Sequence, residues 1–464
     1  MSHSAFEAAK DKLVADGAGD AAVESFTRFH RQLADGELGV LSEESIRPVV
    51  SLPDADQLEA ADARSALDST VMIKLNGGLG TGMGMTKAKS LIEAKDGLSF
   101  LDIIAKQVLG LREQTGARLP LVLMNSFATR DDTLEALAAH PGLELEGVPL
   151  DFLQNRVPKL RADDLHPVSW PDDPEMEWAP PGHGDLYTAL VTSGMLETLR
   201  SQGFRWAFVS NADNLGAVLD ERILAWFASQ EIPFLMEVAD RTAADRKGGH
   251  LATTPDGRLL LREVAQTADT DLEAFQDTSR HRYFNTNTLW IDLDALAAAL
   301  EAGGGVLDLP MIVNRKTVDP GDPESVDVIQ LESAMGAAIA LFEGAQAIRV
   351  PRSRFAPVKA TSDLLGVRSD AYTLTPDFHV VLAPERNGQP PVIELDSAHY
   401  KLLADFEDHF PGGAPSLINC ESLTVKGDVL FGSEITVLGE MTVDSGGPGK
   451  AAVSDGTTLT PRSD

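Results

Sequence analysis

Apolar positions change their rhythm twice along the 464-residue chain. Residues 1–70 are mostly polar, with Phe26, Phe29 and Leu33 spaced for one face of a helix. From Val71 the pattern becomes strand, loop, helix, strand. Val71–Leu75 (VMIKL) and Leu119–Met124 (LPLVLM) read as short buried strands. Between them, Phe100, Ile103, Ile104, Val108 and Leu111 keep a helical period behind Ser99-Phe100-Leu101-Asp102, a capping-box pattern. Leu134–Ala139 suits a helix, and further strands are expected at Leu150–Leu153, Arg205–Ser210, Phe234–Val238 and Leu289–Ile291. Such alternation predicts an α/β domain with a mainly parallel sheet over residues 71–375, its ligands beyond the carboxyl ends of the strands.

Near residue 375 the rhythm changes again, through a proline-rich link (PERNGQPPV). The following LTVKGDVLFGSEITVLGEMTV has β-branched residues punctuated by Gly427, Gly432 and Gly439, the pattern of a short β-helix or a meander. A small β-helix-like domain is therefore expected over 376–445, behind an N-terminal helical region at 1–70. Residues 446–464 (GGPGKAAVSDGTTLTPRSD) are expected to be a disordered tail.

Composition narrows the functional classes. A net charge of −32 disfavours nucleic acid and anionic membranes as partners, though not a small anion held by a local field. The longest apolar run, Ala334–Phe342, falls well short of a membrane span, and the start of the chain lacks the apolar core of a signal peptide. Cys420 is the sole cysteine, which excludes an internal disulfide and a multi-cysteine metal site. A cytoplasmic location is the expectation. Basic residues are scarce, so Lys87 and Lys89 behind one loop, and Arg349, Arg352, Arg354 and Lys359 in another segment, stand out.

The first of these loops, LNGGLGTGMGMTKAKS, has five glycines within residues 77–84. It fits neither the dinucleotide fingerprint nor the P-loop in any register. What remains is a glycine turn after a strand, whose N–H groups can approach an anion or a base edge, or an ordinary structural turn. WAPPGHGDL, with His183 as a hydrogen-bond donor, has the same two readings. So does FVSNADN, where Asp213 could hold Mg2+ against phosphates or form an Asx turn. Lys247-Gly248-Gly249 and FNTN (284–287) place amides that can read sugar hydroxyls beside exposed backbone.

In chain order, KLNGGLGTGMGMTKAKS, LVLMNSF, FLQNRVPKL, WAPPGHGDLY, FVSNADNLGA, MEVADRTAADRKGG, YFNTNTLW, IVNRKT, VIQLESAMGAAI and VPRSRFAPVKATSDLL closely resemble the eukaryotic-type UTP–glucose-1-phosphate uridylyltransferases. The resemblance spans roughly residues 71–375. It implies a GT-A-like (Rossmann-like) nucleotidyltransferase that joins UTP to glucose 1-phosphate with Mg2+ and releases pyrophosphate. By similarity Leu75, Asn76, Gly77 and Gly78 line the uridine and phosphates. Lys89 sits on a UTP phosphate, and Gln154 and Gly182 lie on the uracil. His183 contacts the sugar phosphate, and Asn211 and Asp213 form the strand-end pair, with Asp213 the magnesium carboxylate. Gly249, Glu263, Asn285 and Asn287 are the implied sugar contacts, and Lys359 matches the lysine regarded as catalytic.

Two departures touch these roles. Where the family commonly reads GCKGPKS, the chain has Met85-Thr86-Lys87-Ala88-Lys89-Ser90, so Lys87 is a candidate for the displaced charge. Thr288 stands where a third asparagine is common. A carboxyl end shorter than in the large oligomers of the family leads to the expectation of a monomer or homodimer. Three rivals stay open at this point. One is a pyrophosphorylase for galactose or N-acetylglucosamine 1-phosphate, and another is a non-catalytic UDP-sugar-binding protein. The third is a glycosyltransferase using Asp292-Leu293-Asp294 as its metal motif, although the helical Ala295–Leu300 that follows favours a helix cap there.

Overall fold

The structure, a computed structural model, describes residues 3–37, 39–60, 62–242, 245–447 and 449–461. The region expected to be helical over 1–70 contains α1 (His3–Ala15) and α2 (Asp20–Asp35), and a short helical segment at Arg64–Asp68. Phe26, Phe29 and Leu33 of α2 are buried, as their spacing predicts, against Leu160, Ile329 and Leu331 of a small antiparallel sheet. Residues between the helices and the main domain lie along a sheet edge, where β1 (Arg47–Pro48) pairs.

A mixed sheet of ten strands organises the centre. In chain order they are β1, β2 (Thr70–Asn76), β3 (Leu121–Asn125), β4 (Asp151–Leu153), β5 (Trp206–Asn211), β6 (Phe234–Asp240), β7 (His250–Thr253), β8 (Leu259–Arg262), β9 (Tyr283–Asp292) and β10 (Gln346–Arg349). The spatial order β1-β7-β9-β5-β2-β3-β4 carries β6 beside β9, β10 beside β6, and β8 beside β7. Strands β5, β2, β3 and β4 run parallel, as does β6 with β10, while the long β9 is antiparallel to its neighbours. The α/β expectation is met in this mixed form. Alternation along β2 explains the two-sided burial. Val71 and Ile73 join a core with α5 (Asp185–Thr192) and α7 (Leu293–Ala302) on one face. Met72 joins the opposite core, with α3 (Phe100–Thr115), α4 (Arg130–Leu137), α6 (Glu221–Ser229) and α8 (Thr361–Arg368).

Local signals hold where they have a mechanism. Ser99 caps α3: its side chain accepts from the Asp102 N–H while Asp102 accepts from the Ser99 N–H. Asp292 caps α7 by accepting from Asp294 and Ala295 N–H, and Arg205 holds its second oxygen. That pair of aspartates is therefore a helix start, at the end of β9 remote from the one that faces Asn211.

Beyond α8 the chain forms parallel pairs: β11 (Val392–Leu395), β12 (Cys420–Lys426) and β15 (Gly439–Asp444) stack in one ladder. β13 (Val429–Phe431) and β14 (Thr436–Val437) pair with β16 (Ala451–Val453) and β17 (Thr458–Leu459), respectively. This corrects the disordered tail expected from 446 onward. Both of its pairings have the same offset of 22 residues (429 to 451, 436 to 458), so the backbone follows the preceding coil whatever its polar composition. Residues 448 and 462–464 of that tail lie outside the described residues.

Candidate active site

The parallel registers bring several strand ends to one edge. Leu75 lies beside Asn211, Asn76 beside Asn125, and Asn125 beside Leu153. A cavity of about 340 Å3 opens there, the expected place for a ligand in such a sheet. Leu75, Asn76, Gly77, Gly78, Lys89, Gln154, Gly182, His183, Asn211 and Asp213, all singled out in the sequence, line it together. Their roles differ in kind. The Asn76 amide is turned beneath the loop, donating to Asn125 Oδ1 (2.8 Å) and Thr133 Oγ1 (2.9 Å), so Asn76 offers backbone to the cavity. Gly77 lies under the Gln154 side chain; a Cβ there would stand 2.6 Å from its Oε1. Gly182 has φ +77°, and a Cβ on it would meet the Ser333 carbonyl at 2.5 Å. Gly182 needs glycine for its positive φ and backbone approach, whereas a Cβ at Gly77 would require the Gln154 side chain to shift. The loop closes on itself where the Lys89 N–H donates to the Gly78 carbonyl (3.1 Å).

The electrostatic centre is an ion pair, Lys89 Nζ to Asp213 Oδ2 at 2.7 Å, both partly buried. Asp213 Oδ1 is buried without a partner. Asp213 is a strand-end carboxylate with one uncommitted oxygen, the kind of donor a Mg2+ ion takes when substrate phosphates supply further ligands, so the residues present fit such an ion. Among the described residues no three His, Cys, Asp or Glu side chains gather, and Glu332 is the other carboxylate in the cavity lining. His183 Nδ1 accepts from the Met335 N–H (3.0 Å), so the ring proton belongs on Nε2. Burial holds its pKa down at about 4, making it a neutral donor near pH 7.

Gly249, Glu263, Asn285 and Asn287 form a second cluster outside the lining of the cavity. Asn285 and Asn287 bond to each other twice, and a Cβ on Gly249 would stand 2.5 Å from Glu263 Oε2. Burial raises the Glu263 pKa. A bulge between Glu237 and Val238 displaces Thr286 and Asn287 from regular pairing, and Asn287 takes φ +57°. The β5–β9 register ends at Val209 opposite Leu289, two residues before Asn211 on β5 and two residues after Asn287 on β9.

Lys359 is not brought into the cavity. It is exposed, with Nζ 5.8 Å above the Phe355 ring, but its neighbour Val358 donates to the Asp213 carbonyl (3.1 Å). Lys87 is also exposed and lines nothing in the cavity. Thr288 is fully buried opposite Glu237 inside the sheet, so that departure does not touch the site. Sequence reasoning missed Ser90, Met124, Pro180, Ala212 and Glu332, which complete the lining. Ser90, whose hydroxyl is buried and unpartnered, and Glu332 lie inside quoted motifs; Met124 is a strand residue with no chemical signal of its own.

Known proteins agree with this geometry. The family model described as UTP–glucose-1-phosphate uridylyltransferase matches residues 23–438. A protein of that name from Solanum tuberosum is 42% identical over 403 residues, 86% of this chain and 82% of its own. One from Saccharomyces cerevisiae is 39% identical over 396 residues, 85% and 78% of the two chains. Among solved structures, a Leishmania major UDP-glucose pyrophosphorylase variant in complex with UDP-glucose superposes with a TM-score of 0.93 at 45% identity, covering 99% of this chain and 98% of that one. The chain belongs to the UTP–glucose-1-phosphate uridylyltransferase family.

Proposed function

We propose that the protein transfers a uridylyl group from UTP to α-D-glucose 1-phosphate, giving UDP-glucose and pyrophosphate. The observation that carries this reading is the Lys89–Asp213 pair, with its orphaned oxygen, at the parallel strand ends. A phosphate oxygen of the sugar phosphate, already anionic at pH 7, forms a bond to the α-phosphorus of UTP. The bond from that phosphorus to the bridging oxygen breaks in line, and pyrophosphate leaves with the electron pair. No general base and no covalent intermediate are needed; the obstacle is bringing two polyanions together.

Gln154 and the Gly182 backbone read the uracil, while the N–H groups of Gly77 and Gly78 approach the nucleotide. Lys89 exchanges its bond to Asp213 for a UTP phosphate, which frees Asp213 for the cation. Mg2+ at Asp213 would supply charge neutralisation at the phosphates. Neutral His183 donates from Nε2 to the sugar phosphate, beside Asn211, and Gly249, Glu263, Asn285 and Asn287 meet the sugar hydroxyls. Lys359 enters with its segment as the substrates bind and supports the developing charge. We further infer a GT-A-like catalytic domain over 71–375, a β-helix-like carboxyl-terminal unit, a monomer or homodimer, and a cytoplasmic location.

Pyrophosphate release from UTP, followed separately with glucose, galactose and N-acetylglucosamine 1-phosphate and no acceptor, tests the reading. Glucose 1-phosphate should give the highest kcat/KM. Preference for another sugar would replace the substrate, and no release with any of them would leave a UDP-sugar-binding protein.

A further inference from the structure

One buried side chain that meets no part of the cavity helps to fasten the segment that bears Lys359 to the strand-end loop. Asn214 is 3% exposed and follows Asp213 directly. Its Nδ2 donates to the Arg354 carbonyl (3.1 Å), and its Oδ1 accepts from the N–H groups of Ala356 (3.0 Å) and Gly216 (3.2 Å). Asn214 also pairs with Pro357 across an antiparallel bridge. Gly216 brings the two backbones into contact, and a Cβ on it would collide with the Ser353 carbonyl.

Behind this junction the anchors are charged and buried. Arg354 forms two bonds with Glu237 (2.7 and 2.6 Å) and donates to the Val218 carbonyl (2.8 Å). Lys74, on β2, donates to Ser210 Oγ (2.7 Å) and to the Ala217 carbonyl (2.9 Å). Loop 211–218 is thus held from the sheet by Lys74, and by the Ala212 N–H donating to the Leu75 carbonyl (3.0 Å). Residues 354–358 are held to that loop through Asn214, through Arg354, and by the Val358 N–H donating to the Asp213 carbonyl (3.1 Å).

We propose that Asn214 is a positioning residue for uridylyl transfer, its amide setting the distance between the strand-end carboxylate Asp213 and the segment that delivers Lys359. The inference rests on the transferase reading above. Because Ala212 and Ala217, on either side of Asp213, keep their bonds to β2, loss of the Asn214 amide displaces the lysine segment and leaves the nucleotide pocket standing. A shift of about 1 Å in such a group costs on the order of a hundredfold in rate.

Asn214→Ala and Gly216→Ala test it by independent routes, one removing the amide and the other wedging the backbones apart. In the full chain, kcat for pyrophosphate release should fall by about tenfold to a hundredfold in each. The UTP dissociation constant from calorimetry should stay within about threefold of the wild type, which general disruption of the pocket would not allow. Melting curves identify a variant that fails to fold, and the other variant then decides. Unchanged kcat, or a loss of UTP affinity that parallels the loss of kcat, would overturn the proposal. An inactive wild type would instead defeat the transferase reading on which it stands.

Discussion

Lys89 and Lys359 are matched to the same chemistry, yet the fold treats them differently. Lys89 is pinned in the cavity by Asp213, whereas Lys359 rests exposed on Phe355. If Lys359 acts only as charge develops, Lys359→Ala should lower kcat by about a hundredfold while UTP affinity measured by calorimetry changes little. Unchanged turnover would remove it from the mechanism. A smaller change probes the cluster proposed to meet the sugar. Gly249→Ala puts a methyl against the Glu263 carboxylate, so KM for glucose 1-phosphate should rise at least about tenfold with KM for UTP nearly constant, a split read from initial rates. Equal effects on both substrates would place Gly249 elsewhere than at the sugar. At this scale the sequence was informative where glycine or charge was unusual. Gly77, Gly182 and Asp213 stand out in it because close approach or a lone carboxylate has a residue signature. Asn76 did not reveal that its amide points under the loop, because its partners Asn125 and Thr133 are distant in the chain.

Elements show a similar divide. The Ser99 and Asp292 caps were legible because their bonds are local, but the β9 bulge that lifts Asn287 was not, since it depends on pairing with β6. Nor was the buried histidine pair beside β7. His250 and His281 stack with centroids 3.8 Å apart, among Arg241, Arg262, Arg280, Glu43 and Phe275. Burial holds His250 down at about 2 and lowers His281 as well. In the unfolded chain both titrate near 6.5, so below that pH the unfolded state binds more protons. Their contribution to stability is therefore complete above about pH 6.5 and declines as pH falls. Asp185, raised by burial to about 7, works the other way, gaining relative stability as pH drops from 7. A His250→Phe variant isolates the first effect: its melting temperature should fall less than that of the wild type between pH 7.5 and 5. Equal slopes would mean the pair does not couple to acid unfolding.

At the scale of the whole molecule, the carboxyl-terminal coils are part of the same core as the catalytic sheet rather than an appendage. Leu402 lies against Gly84 of the glycine loop, and Thr361 Oγ1 donates to the Tyr400 carbonyl (2.6 Å) at the start of α8, two residues beyond Lys359. Strand signals of two or three residues, in a stretch rich in Gly, Ser, Thr and Asp, carry too little periodicity to be read; the parallel 22-residue offset becomes visible only in three dimensions. β16 and β17 hydrogen-bond along β13 and β14, whose Val429, Phe431 and Val437 are fully buried. Ala451, Val453 and Leu459 pack against that core. A chain ending at residue 445 loses these pairings and uncovers apolar area worth about 25 cal/mol per Å2. Its melting temperature should drop by several degrees. The cavity at the strand ends has no lining from this segment, so kcat and KM measured at low temperature should remain close to those of the full chain. Calorimetric melting and initial rates on the truncated protein distinguish the outcomes. An unchanged melting temperature would return the tail to the disordered state its composition suggests. A loss of activity without a loss of stability would instead make the last two strands contributors to the site, transmitted through Leu402 and Tyr400 to the glycine loop and the segment that bears Lys359.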